Sequence, residues 1–186
     1  MLQKKYLAAL FFAGLITSLS AQEPKLPDLD LGKSGKLIHV QGKVEQDTVG
    51  RFDKVVLLGS DTANPEKDGK PVFETEGRRL MAWEAKDMDG DNSPEVLLTL
   101  DPSGAGGFID FSILAASGTT LAPVWEDTLQ AGQASFVDKD GDGKQEIVLS
   151  FLEQDLSQKD PASKTAVLKL KDGKITVIEG ELHADV

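Results

Sequence analysis

The sequence contains no cysteine, and its 186 residues include only two histidines, His39 and His183. The absence of cysteine excludes disulfide bonds, a thiol nucleophile and a lipid-modified cysteine near the N-terminus. The two histidines lie far apart in the sequence, so they predict neither a zinc site nor a general base. We therefore expect the fold to be held by packing, with bound metal as the only other available support.

Positive charge is also scarce, with 20 Lys and Arg against 31 Asp and Glu and a formal net charge of −11. A surface this acidic repels nucleic acid and anionic lipid, whose phosphates carry the same sign of charge. We therefore expect no nucleic-acid partner. The same surface attracts cations.

Long apolar runs are absent except at residues 6–19, where one follows two lysines and precedes several small residues. That order is typical of a secretory signal peptide, and the run is short for a membrane span, which needs about 20 residues. We predict a signal peptide at 1–21, cleaved after Ser20 or Ala21; the alternative is an uncleaved N-terminal anchor. Cleavage after Ala21 leaves 165 residues and a formal charge of −13, in an exported protein (periplasmic or extracellular) with no membrane span.

The remainder of the chain consists of a predicted linker and one domain. Residues 22–35 are rich in proline, glycine and charge, and they predict a linker. Across 36–186, short apolar or alternating runs are separated by turn residues, and no segment keeps a helical period. This spacing predicts an all-β domain. Asp172-Gly173 in "KLKDGKITV" predicts a hairpin turn, and "ASGTT" at 116–120 predicts another.

Two acidic stretches repeat one pattern at an offset of 51 residues: "DMDGDNSPE" at 87–95 and "DKDGDGKQE" at 138–146. Carboxylates occupy positions 1, 3, 5 and 9 of each stretch, and the match continues into the apolar runs on both sides. A weaker copy lies at 45–53, where Asp53 takes the ninth position. The carboxylates of the two strong copies are Asp87, Asp89, Asp91, Glu95, Asp138, Asp140, Asp142 and Glu146.

The spacing of these eight carboxylates predicts calcium ligands. Calcium takes six to eight oxygen ligands, and alternate residues of a tight loop can turn their side chains toward one centre. We expect about two Ca²⁺ per chain. Two alternatives are solvated Asp-Gly turns and magnesium, which prefers few carboxylates and keeps its waters. EF-hands are not expected, because position 12 is Leu98 in one loop and Leu149 in the other, where an EF-hand has a bidentate glutamate.

The segments "DMDGDNSPEVLL" and "DKDGDGKQEIVL" resemble the calcium loops of FG-GAP and VCBS-type repeats, the family that includes the propeller blades of integrin α-subunits. The resemblance implies that the eight carboxylates bind calcium and that the domain consists of propeller-blade-like antiparallel repeats. A complete integrin-like ring of seven blades does not fit, because 165 residues supply three to nearly four blades, and closure of a smaller ring stays open. The expected fold is therefore a small or incomplete β-propeller, or a compact β-sandwich of the same hairpins.

Three functions are compatible with this sequence. The first is an exported, non-catalytic calcium-binding β-repeat protein that presents loops to a protein or glycan at the cell envelope. The second is a secreted enzyme, or an enzyme accessory domain, in which calcium is purely structural and the glycine-rich stretch at 101–108 shapes a pocket. The third is a structural envelope protein without a diffusible ligand. We expect Trp83 and Trp125 to lie in the core, since aromatic residues in apolar strands supply buried area.

Overall fold

The fold is described by a computed structural model for most of the domain. The described residues are 25–42, 53–58, 70–102, 106–117, 120–153 and 160–182. The predicted signal peptide (1–21) and most of the weak acidic copy (45–52) lie outside these ranges. Within the ranges, no helix has the length and apolar character that crossing a membrane requires.

The described chain is all-β, which confirms the predicted fold class. Its strands form one four-stranded sheet, in the order β1-β2-β3-β4, and one seven-stranded sheet, in which β5 to β11 are neighbours in chain order. All pairs are antiparallel, and the paired strands are consecutive along the chain. The strands are β1 (Leu29–Asp30), β2 (Lys36–Val40), β3 (Lys54–Leu58), β4 (Lys70–Glu74), β5 (Arg79–Lys86), β6 (Glu95–Asp101), β7 (Phe108–Ser117), β8 (Thr120–Val137), β9 (Glu146–Glu153), β10 (Ala162–Lys171) and β11 (Lys174–Glu179).

Both predicted hairpins are present. Strands β10 and β11 are joined at Asp172 and Gly173, whose φ angles of 52° and 73° are those of a type I′ turn. Strands β7 and β8 pair along their length from Phe108↔Gln130 to Ser117↔Thr120.

Three antiparallel strand pairs follow one another along the chain. Strands β2 and β3, β5 and β6, and β8 and β9 form the three hairpins, and each hairpin pairs with the next strand, β4, β7 or β10. The second and third units are the ones that contain the strong acidic loops. The repeat that the sequence predicts is therefore a repeat of the fold.

Strand β8 joins the second and third units into one sheet. The sequence predicts two runs here, at 121–127 and 134–138, but the chain continues through them as one bent strand of 18 residues. The bend lies at Ala131, whose φ is 48°, and the register with β9 shifts between Gln130 and Gln133. The first part of β8 pairs with β7 and the second part with β9, so one strand serves both units.

The two sheets pack against each other and do not close into a ring. Among the described strands, no ladder connects the four-stranded sheet to the seven-stranded one. One core cluster lies between them and includes Leu37 and Val55 from the small sheet and Leu98 and Leu114 from the large sheet. This arrangement is an open pair of packed sheets.

A second core cluster lies on the other face of the large sheet and contains Leu97, Ile113, Ile147 and Leu149. Since Leu97 and Leu98 belong to different clusters, strand β6 is buried on both faces. Its nearly continuous apolar sequence, EVLLTLD, is the composition that such a strand requires. Trp83 and Trp125 were expected in the core, but they are only partly buried and pack against the two clusters.

The described part of the predicted linker is packed onto the domain, which differs from the expectation. Strand β1 pairs with β2, and Leu31 is 2% exposed within the core cluster between the sheets. The Trp83 Nε1–H donates a hydrogen bond to the Pro27 carbonyl at 2.8 Å. Proline and glycine content predicts a linker, whereas the apolar Leu26, Leu29 and Leu31 anchor the segment.

Candidate metal centre

Each acidic loop lies at the turn of a hairpin. Residues 87–95 connect β5 to β6, and residues 138–146 connect β8 to β9. The last acid of each loop, Glu95 or Glu146, is the first residue of the following strand. Strands therefore flank both loops, as the sequence predicts, and the helices of an EF-hand are not present there.

The first aspartate of each loop accepts two backbone hydrogen bonds. Asp87 accepts from the N–H groups of Gly90 and Asn92, at 2.7 and 3.0 Å. Asp138 accepts from the N–H groups at the same loop positions, at 2.7 and 3.1 Å. Both oxygens of this carboxylate are thereby fixed, which holds the loop in a tight turn.

The next two aspartates follow the same rule. Asp89 and Asp140 each accept from the N–H two residues further on, both at 3.1 Å. Asp91 and Asp142 do so as well, at 2.6 and 2.8 Å. Each of these bonds uses one oxygen, Oδ1, and leaves Oδ2 available to another group. The repeat therefore extends from sequence to the individual hydrogen bonds of the loop.

Glycine at the fourth loop position is required by the backbone. Gly90 and Gly141 have φ angles of 84° and 76°, in the left-handed region that residues with a Cβ rarely adopt. The "DG" of each motif is thus explained by conformation, and the carboxylate spacing is the part that needs a chemical explanation.

A buried glutamate lies at the base of each loop. Glu95 is 3% exposed and Glu146 is fully buried. Their Oε2 atoms accept hydrogen bonds from the backbone N–H groups of Met88 and Lys139, at 2.8 and 3.0 Å. Turn preference does not explain a buried carboxylate, because burying a charge is unfavourable unless another group compensates for it.

The electrostatics of Glu95 indicate that a bound cation would compensate for the burial of its carboxylate. The pKa of Glu95 is raised to about 7: burial is the largest cause, the Met88 N–H opposes the rise, and repulsion from Asp89 and Asp91 adds to it. A carboxyl in this position favours its neutral form when no cation is bound. A cation among these carboxylates would reverse that preference.

The loops bring most of the predicted ligands together in two acidic clusters. In each cluster, three carboxylates offer oxygens that lie within 4.8 Å of one another, and each cluster could hold a metal ion. The clusters are Asp87, Asp89 and Glu95 in the first loop and Asp138, Asp140 and Glu146 in the second. The other two predicted ligands, Asp91 and Asp142, lie in the same loops but outside these triplets.

The second loop contains a cationic side chain that the sequence analysis missed. Lys169 Nζ, from strand β10, lies 2.7 Å from Glu146 Oε1, 3.1 Å from Asp140 Oδ2 and 3.2 Å from Asp142 Oδ2. These contacts raise the pKa of Lys169. The pKa of Asp142 is lowered, first by the Lys144 N–H and then by Lys169. Nothing in the loop motif itself identifies a lysine so far along the chain.

The weak third copy has a buried acid at the same place. Asp53, directly before β3, is fully buried, and its Oδ1 accepts a hydrogen bond from the Gly42 N–H at 2.8 Å. Its Oδ2 lies 3.1 Å from Nε2 of His39, which is also buried. The alignment of Asp53 with Glu95 and Glu146 was the available signal, but nothing in the sequence pattern identifies His39 as the neighbour of Asp53.

The two strong loops contact each other. The N–H of Gln145 donates a hydrogen bond to the carbonyl of Asp87 at 3.2 Å. The Lys144 side chain lies against Gly90, where an added Cβ would be 3.1 Å from Lys144 Cε. The two candidate sites are therefore adjacent.

Comparison of the chain with known protein families, with curated proteins and with solved structures finds no match. The class that the fold and loops define is an all-β chain of two packed antiparallel sheets with two acidic clusters able to hold metal.

Proposed function

We propose that the chain is an exported, non-catalytic calcium-binding β-repeat protein that binds Ca²⁺ in the loops at 87–95 and 138–146. One observation carries the proposal: the same hydrogen-bonded acidic loop occurs twice, each time with a buried glutamate at its base. A solvated Asp-Gly turn would form without a buried glutamate. A bound cation compensates for its burial and for the repulsion among the aspartates.

Calcium is favoured over magnesium by the number of carboxylates. Each cluster presents three carboxylates and has a further aspartate nearby, and calcium accepts six to eight oxygens in flexible geometry. Magnesium demands a near-ideal octahedron and keeps several waters. The resemblance of the loops to FG-GAP and VCBS-type repeats supports the same choice.

A non-catalytic role is supported by the position of the described histidine. His39 is 3% exposed, lies beside Asp53 and makes an edge contact with the Trp83 ring at a centroid distance of 6.2 Å. A substrate cannot reach it in this packing. The proposed role of calcium is instead to fix two neighbouring hairpin loops that a protein or glycan of the cell envelope recognises.

Calcium titration calorimetry on residues 22–186, with thermal melts in calcium and in chelator, tests the proposal. We expect up to two ions per chain and a melting temperature roughly 5–10 °C higher in calcium. This estimate follows from about 2.7 kcal/mol of stabilisation at a hundredfold excess over Kd. Magnesium should give a smaller effect. Absence of both heat and a melting shift would show that the loops are solvated turns.

The Asp89→Asn variant tests calcium binding at the first loop with little change to the loop's hydrogen bonds. The amide retains an oxygen that can accept the Asp91 N–H, but it removes a charged ligand. We expect nearly unchanged melting in chelator together with at least about tenfold weaker binding at that loop.

Presentation of the loops is tested separately with a glycan array and an envelope-protein pull-down, each with and without calcium. Binding that ignores calcium would contradict that part of the proposal.

A further inference from the structure

We infer that Lys169 is a built-in counter-ion of the second loop, so that calcium fills the loop at 87–95 first and must displace Lys169 to fill the loop at 138–146. The inference rests on the calcium-binding function proposed above. It assigns different affinities to two loops whose motifs are the same.

The contacts of Lys169 place its ammonium among the candidate ligands. Its Nζ lies within 3.2 Å of three carboxylates, and two of them, Asp140 and Glu146, belong to the triplet that could hold the metal. A calcium ion needs the same oxygens, and two cations repel each other at such short range. The ammonium and the metal therefore compete for one place.

Strand register fixes the lysine at this place. The pairing of β9 with β10 ends at Ile147↔Leu168, so the next residues across the ladder are Glu146 and Lys169. Residues directly opposite each other on antiparallel strands have neighbouring side chains. The lysine is thus held beside the buried glutamate by the sheet.

The first loop has alanine at the equivalent position. The pairing of β6 with β7 includes Val96↔Leu114, which places Ala115 across from Glu95. In the described part of the chain, no lysine or arginine forms an ion pair with the carboxylates of the first loop. Lys144 reaches the first loop beside Gly90 but forms no ion pair with its carboxylates among the described contacts, whereas Lys169 forms three in the second loop.

Lys169 is also able to leave. Its side chain is 23% exposed and ends a flexible four-carbon stem, so the ammonium can move into solvent when calcium enters. The cost of breaking its charge-assisted hydrogen bonds lowers the apparent calcium affinity of the second loop. We expect the two loops to differ in Kd by about tenfold or more, with the first loop the tighter one.

Calorimetry on residues 22–186 with three variants tests this order of filling. Lys169→Met should tighten the weaker binding event by about tenfold and leave the tighter one unchanged. Ala115→Lys should weaken the tighter event. Lys164→Met is the matched control, because Lys164 lies on the same strand and pairs instead with Glu153 at 3.4 Å; this variant should bind calcium like the unmodified chain.

Two further variants complete the test: one assigns each calcium-binding event to a loop, and the other retains the positive charge at position 169. Glu95→Gln removes a ligand of the first loop, so the event that remains belongs to the second loop, and adding Lys169→Met to it should tighten that event. Lys169→Arg retains a cation and should retain weak binding. Circular dichroism in chelator verifies that each variant keeps its strands.

The outcomes separate the inference from the proposed function. Two equal binding events that Lys169→Met does not change would overturn the inference and leave calcium binding established. Equal affinities for the Lys169→Arg and Lys169→Met variants would also overturn it, because charge would then not matter. No calcium binding by any variant would overturn both the function and the inference.

Discussion

Glu95 and Glu146 are the residues at which the acidic loops meet the core. Each bonds a backbone N–H within its own loop and begins a strand whose next residues, Val96 and Ile147, are fully buried. A change in the charge of these glutamates therefore affects both the loop and the strand. We expect metal binding and folding to be linked through these two residues.

The stability of the metal-free protein should fall as pH rises from about 4.5 to about 7. The pKa of Glu95 is about 7 in the folded chain and 4.5 when unperturbed, so between these values the folded state binds more protons than the unfolded state. Stability then decreases with pH across this window and does so no further above it. The measurement is a series of melts in chelator between pH 4.5 and 8.

Glu95→Gln is the control for this pH dependence, since the amide does not titrate. Other carboxylates contribute slopes of their own, but the difference between the two proteins isolates Glu95. The difference should be constant below about pH 4.5 and shift in favour of the Gln variant up to about pH 7. A difference that stays constant with pH would mean that Glu95 titrates normally.

The long strand β8 shows how one element connects two units of the repeat. At its bend, Gly132 packs so closely that an added Cβ would lie 2.7 Å from Phe111 Cε2 and 3.0 Å from Leu129 Cβ. Both of these residues belong to the core cluster on the far side of the large sheet. The glycine is required by packing here.

Gly132→Ala should destabilise the protein by about 1–3 kcal/mol, because the extra methyl overpacks the core. Chemical denaturation in calcium measures the free energy of unfolding. The neighbouring Ala131→Gly variant should have little effect or a small stabilising one, because exposed Ala131 has a φ of 48° that glycine adopts without strain. Equal destabilisation by both variants would contradict the packing explanation.

On the scale of the whole molecule, the described part of the predicted linker, residues 25–35, completes the core between the sheets. Leu31 lies in that cluster with Leu37 from the small sheet and Leu80 from the large one. The segment covers an apolar face that both sheets share. Its composition resembles a linker, but its leucines make it part of the domain.

Leu31→Ala should cost about 2–5 kcal/mol in the free energy of unfolding, since it leaves a cavity in this core. Lys33→Ala, in the adjacent and exposed 3-10 turn, should change the free energy by less than about 0.5 kcal/mol. Urea unfolding of both variants provides the comparison. Matching midpoints for the two would mean that the segment contributes nothing to the core.

The sequence by itself determined what depends on neighbours along the chain. Alternating apolar runs and turn residues predicted the all-β class and the hairpin at Asp172-Gly173. Carboxylate spacing predicted two equivalent loops, and the hydrogen bonds of both loops are equivalent, because each bond joins residues no more than seven positions apart. Local chemistry of this kind needs no knowledge of the rest of the fold.

Only the tertiary structure decided which distant residues meet. Strand register placed Lys169 in the second loop and Ala115 beside the first, although the two loop motifs are alike. Packing of the sheets brought His39 to Asp53 and buried Leu31 in the shared core. These contacts depend on the pairing and packing of strands far apart in sequence, where a shift of one residue turns every side chain to the opposite face.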